Sequence, residues 1–154
     1  MKYLFLVFLL ISFTFTNLIF SQHTEIIYLS GTGFKNEKIW NFYCSDGMNS
    51  NEKTKILVPS CWELQGFGKY NYGLDKDEFR GKEIGYYNTS FHLPSKFKNK
   101  IIFIVFDGVM TDAEVKINGK LAGPIHKGAF YRFKYDITNL VKFGSANSLE
   151  VKVW

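Results

Sequence analysis

The stretch that decides the fold is "AEVKINGKLAG", residues 113–123. Apolar residues at 113, 115 and 117 alternate with charged ones, which is the period of a strand that buries one face. Asn118-Gly119 follows, and this dipeptide is the strongest short signal for a hairpin. A strict two-residue loop pairs Ile117 with Lys120 on one face, so either the lysine stem lies along apolar surface or a bulge shifts the return strand.

Other segments show the same kind of strand pattern. "GYYNTSFHLP" alternates up to Pro94, "NSLEVKVW" alternates to Trp154, and "IIFIVF", residues 101–106, is apolar throughout, which predicts a strand covered on both sides. "AFYRFKY" alternates too, and Asp136 after it predicts the cap of one short turn closed by Gly144. Short strands separated by Gly, Asn and Asp turns predict an all-β fold, an antiparallel jelly-roll sandwich.

The first 21 residues have the layout of a secretory signal. Lys2 precedes an apolar run, residues 3–20, and the small residue Ser21 follows it. We expect cleavage after Ser21, export to the periplasm or the extracellular space, and a single domain over residues 22–154. The apolar run is at the short edge of a membrane-spanning length, so an uncleaved anchor is the alternative.

Charge and composition narrow the function classes. Without the signal the chain carries a net charge of +4, and its lysines are scattered, which indicates a solvated surface and predicts no nucleic-acid partner. Aromatic residues stay enriched after removal of the signal. Such rings can fill a sandwich core or stack on the C–H faces of sugars, and composition does not choose between these uses.

Catalytic chemistry is incomplete in this sequence. Hydrolysis of a glycoside needs two carboxyl groups about 5 to 9.5 Å apart, one of them held protonated. Asp75, Asp77 and Glu78 lie in a charged loop, which indicates solvated carboxylates, and Asp107 before a glycine is typical of a turn. The three histidines lack ligand spacing, so we expect no metal, no cofactor and no catalytic residue.

Two cysteines leave one structural question open. Cys44 and Cys61 are 17 positions apart in a chain with a signal for export. An oxidising compartment permits a disulfide between them, but so low a cysteine count favours two small buried thiols.

Five motifs, taken in order, resemble the N-terminal sugar-binding domain of glycoside hydrolase family 2, in particular its bacterial β-galactosidase-like members. They are "VPSCWELQGFGKYNYG", "RGKEIGYYNTSFHLP", "IIFIVFDGVMTDAEVKINGKLAG", "HKGAFYRFKYDIT" and "NSLEVKVW". The resemblance covers the chain from about Trp40 to Trp154. It implies a jelly-roll domain that precedes an immunoglobulin-like domain and a (β/α)8 barrel, the barrel carrying both catalytic glutamates.

The resemblance also implies that this chain is a fragment, inactive alone. Nothing in it matches the barrel, and the further strand that ends the family's sandwich is absent. We therefore expect the strand over residues 148–154 to lack a neighbour and the chain to be poorly soluble, because an unpaired edge promotes association.

Candidate sugar contacts follow from the same resemblance. Asn71 lies in the loop that, in related β-galactosidases, reaches towards the barrel and helps to bind galactosyl hydroxyls. Tyr72 and His126 are the other candidate substrate-binding residues, with a structural role for His126 as the alternative. Trp62 resembles a packing residue. The implied partners are a β-galactoside or related carbohydrate and the missing parent domains.

Two other classes of function stay open. A free-standing carbohydrate-binding module predicts sugar affinity for this chain alone. A surface-interaction module is favoured if the apolar segment at residues 3–20 stays attached as an anchor, which would also give the chain a membrane partner.

Overall fold

The computed structural model describes residues 24–33, 35–69 and 82–154, and these residues form nine strands with two short 3-10 turns. The strands are β1 Lys38–Cys44, β2 Thr54–Val58, β3 Gly85–His92, β4 Phe103–Phe106, β5 Asp112–Ile117, β6 Lys120–Leu121, β7 His126–Lys127, β8 Phe133–Asp136 and β9 Ala146–Val153; the turns are Glu63–Gln65 and Ser95–Phe97. Across these ranges, no helix has the length and apolar character needed to cross a bilayer. The expected signal segment lies outside the described residues.

The strands form two antiparallel layers. The main sheet has seven strands in the order β2-β1-β3-β9-β5-β6, with β7 also paired to β5, and β4 and β8 form a second sheet of two strands. Apolar side chains of both layers belong to one buried cluster, which includes Phe42 of β1, Ile104 of β4 and Leu149 of β9. The all-β, antiparallel sandwich expected from the alternating segments is therefore confirmed.

The core contains the residues that the alternation placed on the inner face. Ala113, Val115 and Ile117 of β5 are at most 1% exposed, and Val151 of β9 is 5% exposed. Burying a large aliphatic side chain of this kind stabilises the fold by roughly 1.5–3 kcal/mol. A period of two is thus enough to identify which face of these strands packs inward.

The hairpin after β5 settles the register that the sequence left open. Ile117 pairs directly with Lys120, so the loop has two residues and no bulge. Asn118 has φ 52° and Gly119 has φ 77°. Positive φ at both central positions is the requirement of a type I′ turn, which is why Asn-Gly occurs here. Lys120 is exposed, and its partner Ile117 is fully buried.

Two expectations are wrong. β9 is not an unpaired strand: its whole length pairs with β3, and residues 149–153 also pair with β5. Its inner residues are buried, so the reason given for poor solubility does not hold. The segment over residues 101–106 is not covered on both sides either, since Phe103 and Val105 are each 46% exposed while Ile104 is 7% exposed. β4 lies in the two-stranded sheet, and only one of its faces packs on the core.

Candidate functional site

The three predicted sugar-contacting residues are not all described by the structure. Asn71 and Tyr72 lie in the segment 70–81, outside the described residues, and so do Asp75, Asp77 and Glu78. His126 is described and half-buried, at the start of β7. The described part of the candidate site therefore consists of His126 and the residues that hold it, and of the turn over residues 60–69 that leads to Asn71.

His126 is held by stacking and by one hydrogen bond. Its ring lies parallel to that of Phe133, with 3.7 Å between centroids and 11° between planes, and Phe133 stacks in turn on Phe106 with centroids 4.9 Å apart. His126 Nε2 lies 3.0 Å from the carbonyl oxygen of Gly128. A carbonyl only accepts, so Nε2 carries the proton, and Nδ1 of the neutral ring is an acceptor.

A second layer of contacts supports this stack. Tyr135 packs edge-on against Phe133, with centroids 5.5 Å apart, and its hydroxyl donates to Pro124 O at 2.5 Å. A methyl group at Gly123 would lie 2.3 Å from Tyr135 Cδ1, so only glycine allows this approach. The strand that carries His126 is thereby tied to β8. The orientation of the imidazole is fixed by packing, which is compatible both with a structural role and with one hydrogen bond to a ligand.

Trp62 is a packing residue, as expected. Its ring stacks on Tyr87 with centroids 6.5 Å apart and lies 6.2 Å from that of Phe42. A methyl group at Gly85 would lie 2.2 Å from Trp62 Cζ3, so β3 needs glycine where the indole crosses it. Phe67 is 9% exposed and also contacts Phe42. Two rings of the turn before Asn71 therefore belong to the core.

Gln65 fixes the base of that turn in a way that sequence reasoning missed. Its side-chain Oε1 accepts from the Leu57 N–H and its Nε2 donates to Leu57 O, both at 3.0 Å. Nε2 also donates to Ser60 Oγ. The amide replaces a neighbouring strand along the edge of β2, because it offers one donor and one acceptor like a peptide group. In the sequence, the feature that indicates this contact is a glutamine a few residues after a predicted strand end.

The carboxyl groups with shifted pKa values are poor proton donors at neutral pH. The backbone N–H of Gly47, and then Lys69 at 3.1 Å, lower the pKa of Asp46. Hydrogen bonds from the hydroxyl and N–H of Thr138 lower the pKa of Asp136. Asp107 is exposed and pairs with Arg132 Nε at 2.8 Å. Asp46 and Asp136 therefore stay ionised at neutral pH, whereas a glycosidase acid must hold its proton.

Glu83 is the buried carboxyl group that the sequence did not single out. It is 7% exposed, and Oε1 has no hydrogen-bond partner among the described residues. It lies beside Gly68, close to the Trp62 indole, where the described chain resumes after residue 81. This places an acidic side chain beside Gly68, near the point where the described chain ends at residue 69.

The thiols and possible metal ligands are dispersed. Cys44 and Cys61 are both free: Cys44 is buried and donates to Asp46 O at 3.2 Å, while Cys61 is exposed. Burial raises the pKa of the Cys44 thiol. Within the described ranges, His, Cys, Asp and Glu form no group of three or more that could bind a metal ion.

A two-layer antiparallel sandwich with aromatic-rich loops at its strand ends is an architecture used by carbohydrate-binding domains. Residues 71–154 match the family described as "Glycosyl hydrolase 2 galactose-binding domain-like". The chain belongs to this family, as its ordered motifs led us to expect.

Similar proteins are much longer than this chain. A beta-glucuronidase of Bacteroides fragilis is 35% identical over 115 residues, which cover 73% of the chain and 15% of that protein. A beta-galactosidase of Bacteroides ovatus is 29% identical over 122 residues, 74% of the chain and 14% of that protein. The chain thus spans about a seventh of these relatives.

The fold is also that of a solved glycosidase domain. The structure of a beta-D-glucuronidase from Dictyoglomus thermophilum superposes with a TM-score of 0.61 at 27% identity. The match covers 86% of this chain and 20% of that one.

Proposed function

We propose that this chain is the N-terminal carbohydrate-binding accessory domain of an exported family 2 glycosidase that cleaves O-glycosidic bonds of β-galactosides or related sugars. The observation that carries the proposal is the family match over residues 71–154. The relatives named as beta-glucuronidases and beta-galactosidases extend far beyond the matched region, which leaves room for catalytic glutamates outside this chain.

Three exposed carboxyl groups among the described residues are suited to a binding domain and not to acid catalysis. Asp46 and Asp136 have lowered pKa values and are suited to stay charged, and Asp107 forms an exposed ion pair with Arg132. A retaining or inverting glycosidase needs one carboxylic acid in a site that raises its pKa. The proposed domain supplies sugar contacts and leaves bond cleavage to a barrel.

In this proposal Asn71, Tyr72 and His126 contact the sugar. His126 Nδ1 is available to accept a hydrogen bond from a hydroxyl, because Nε2 is committed to the Gly128 carbonyl. Lys127 is adjacent on β7 and points to the opposite face of the strand, away from the stack on Phe133. Nδ1 as an acceptor suits a sugar hydroxyl, which donates, better than the carboxylate of a uronic acid, which only accepts.

Reading the gene beyond the codon for Trp154 is the first test. We expect coding sequence for an immunoglobulin-like domain and a barrel with two glutamates at glycosidase spacing. A stop codon directly after residue 154 would refute the accessory-domain proposal and favour a free-standing binding module.

The second test compares activities. We expect no turnover of p-nitrophenyl β-galactoside by the 154-residue chain, turnover by the longer gene product, and a loss of about tenfold or more in kcat/KM for its Asn71→Ala variant. His126→Phe preserves the stack and removes the acceptor, so it should raise KM without unfolding the protein. Hydrolysis by the purified 154-residue chain would contradict the proposal, and faster turnover of the glucuronide would correct the sugar.

Export is part of the proposal and has its own measurement. The mature protein, recovered from the producing cells, should begin at Gln22. An N-terminus that retains the apolar residues 3–20, together with recovery in the membrane fraction, would favour an anchored protein.

A further inference from the structure

The outer face of the main sheet carries an ordered array of polar and aromatic side chains. Two rows cross four neighbouring strands, and we call them together the outer platform. The first row is Tyr43, Tyr86, Lys152 and Glu114, and the second is Asn41, Asn88, Glu150 and Lys116. Members of a row are direct cross-strand partners, so their side chains stand next to each other.

A shallow groove of about 240 Å³ runs over the centre of the outer platform. Its lining includes Tyr86, Asn88, Glu150 and Lys116. Tyr86 is 40% exposed, and its ring lies 5.5 Å from that of Tyr43. The groove therefore offers an aromatic surface at one side and side-chain donors and acceptors along the other.

The floor of this groove is preformed. It lies on β3, β9 and β5, and β9 is paired on both sides. The backbone of a continuous ladder is already ordered, so the entropic cost of binding falls on the side chains and the ligand.

The charges within the outer platform favour a neutral ligand. Two lysines and two glutamates balance, and Lys116 and Glu114 form an ion pair at 3.0 Å. A balanced face does not attract nucleic acid or polyuronate. A protein partner would meet charged groups at the centre of its interface, where protein interfaces are depleted of them. Sugar hydroxyls, in contrast, both donate and accept, and sugar C–H faces stack on tyrosine.

We propose that the outer platform is a second carbohydrate site that binds a neutral oligosaccharide across β3, β9 and β5. It is separate from the predicted site at His126. That residue pairs with Ala113, whose side chain points into the core, whereas Glu114 points outward. The inference goes beyond the proposed function, since the platform acts as a binding surface and needs no catalytic domain.

The test is calorimetric titration of the 154-residue chain with neutral and anionic probes. We expect β-1,4-galactotetraose or cellotetraose to bind and tetragalacturonate not to bind. Tyr86→Ala should weaken binding by about tenfold, while Tyr86→Phe, which keeps the ring, should stay within about threefold. Tyr131→Ala is the matched control, because Tyr131 is 69% exposed and outside the platform.

Two further variants keep the test decisive if Tyr86→Ala lowers the folded fraction. Asn88→Ala and Glu150→Ala remove outer-face groups that would hydrogen-bond to the sugar, and each should weaken binding with unchanged circular dichroism. Absence of binding by both neutral tetrasaccharides at millimolar concentration would overturn the inference. Equal binding to Tyr86→Ala and wild type, or preference for tetragalacturonate, would also overturn it.

The outcome is independent of the proposed glycosidase. In the longer gene product, Tyr86→Ala should leave turnover of a small chromogenic galactoside unchanged and weaken binding of the tetrasaccharide. If the wild-type longer gene product binds the tetrasaccharide but does not hydrolyse the galactoside, only the proposed function is refuted. Retained turnover with no tetrasaccharide binding refutes only the outer platform as a site.

Discussion

Replacing Asn147 by alanine removes a buried amide that ties β9 to the loop before it and to the β5–β6 hairpin. Asn147 is 1% exposed. Its Oδ1 accepts from Lys142 N–H at 2.6 Å and from Asn118 Nδ2 at 2.8 Å, and its Nδ2 donates to Lys142 O at 2.8 Å and Ser145 O at 3.3 Å. Asn118 also donates to Leu140 O. Every polar atom of the Asn147 side chain therefore has a partner.

The expected cost is large for a single polar residue. A hydrogen bond contributes about 1 kcal/mol net, and a buried group left without its partner costs about 1–3 kcal/mol. The partners of Asn147 are partly buried, so some recover water after the substitution. We expect Asn147→Ala to lower the free energy of unfolding by about 3 kcal/mol, and the melting temperature by roughly 10 °C for a domain of this size.

Urea unfolding followed by tryptophan fluorescence measures this effect. The midpoint should fall without a change in slope. Asn99→Ala is the matched control, because Asn99 is exposed, and it should stay within about 0.5 kcal/mol of wild type. Asn118→Gly keeps the positive φ and removes the partner amide, so the double variant with Asn147→Ala should cost less than the sum. Equal midpoints for the Asn147 and Asn99 variants would refute the reasoning.

Three further predictions follow from the packing and the titrating groups. Gly85→Ala should destabilise the domain by about 1–3 kcal/mol and change Trp62 emission, since the methyl group would meet the indole; an unchanged melt would contradict the packing. Cys61 should react with Ellman's reagent in the native protein and Cys44 only in denaturant, because burial protects it; equal rates would refute this. The lowered pKa of Asp136 stabilises the fold above its unfolded value of about 3.9, and this stability is lost as pH falls through the folded value. Asp136→Asn should therefore flatten the fall in urea midpoint on acidification, and an unchanged slope would contradict it.

Strand faces could be predicted from the sequence because alternation is a local property. The inner residues of β5 and β9 are those at every second position. Whether another layer covers a strand depends on distant parts of the chain. The apolar run in β4 therefore led to a wrong prediction of burial on both faces. Pairing order is also non-local. Among the described strands, β9 comes last in sequence and lies in the interior of the sheet because it pairs between β3 and β5.

Candidate site residues could be named from the sequence only where a family motif contains them. His126 came from the family resemblance, but its stacking on Phe133 depends on β7 and β8 meeting in space. Gln65 and the Asn118–Asn147 pair carry no pattern in the sequence, since amides satisfy backbone groups wherever the fold leaves them unpaired. The outer platform required the register of four strands, which alternation within each strand does not supply.

The aromatic enrichment of this chain serves two purposes, and neighbouring residues of one strand separate them. Tyr87 points inward, contacts Phe42 and Trp62, and has its pKa raised by burial. Tyr86 points outward, contacts Tyr43 and lines the groove. A strand alternates its faces, so one Tyr-Tyr dipeptide can place one ring in the core and leave the next ring for a ligand. Composition alone could not distinguish core rings from binding rings, because the difference between them is the side of the sheet on which each lies.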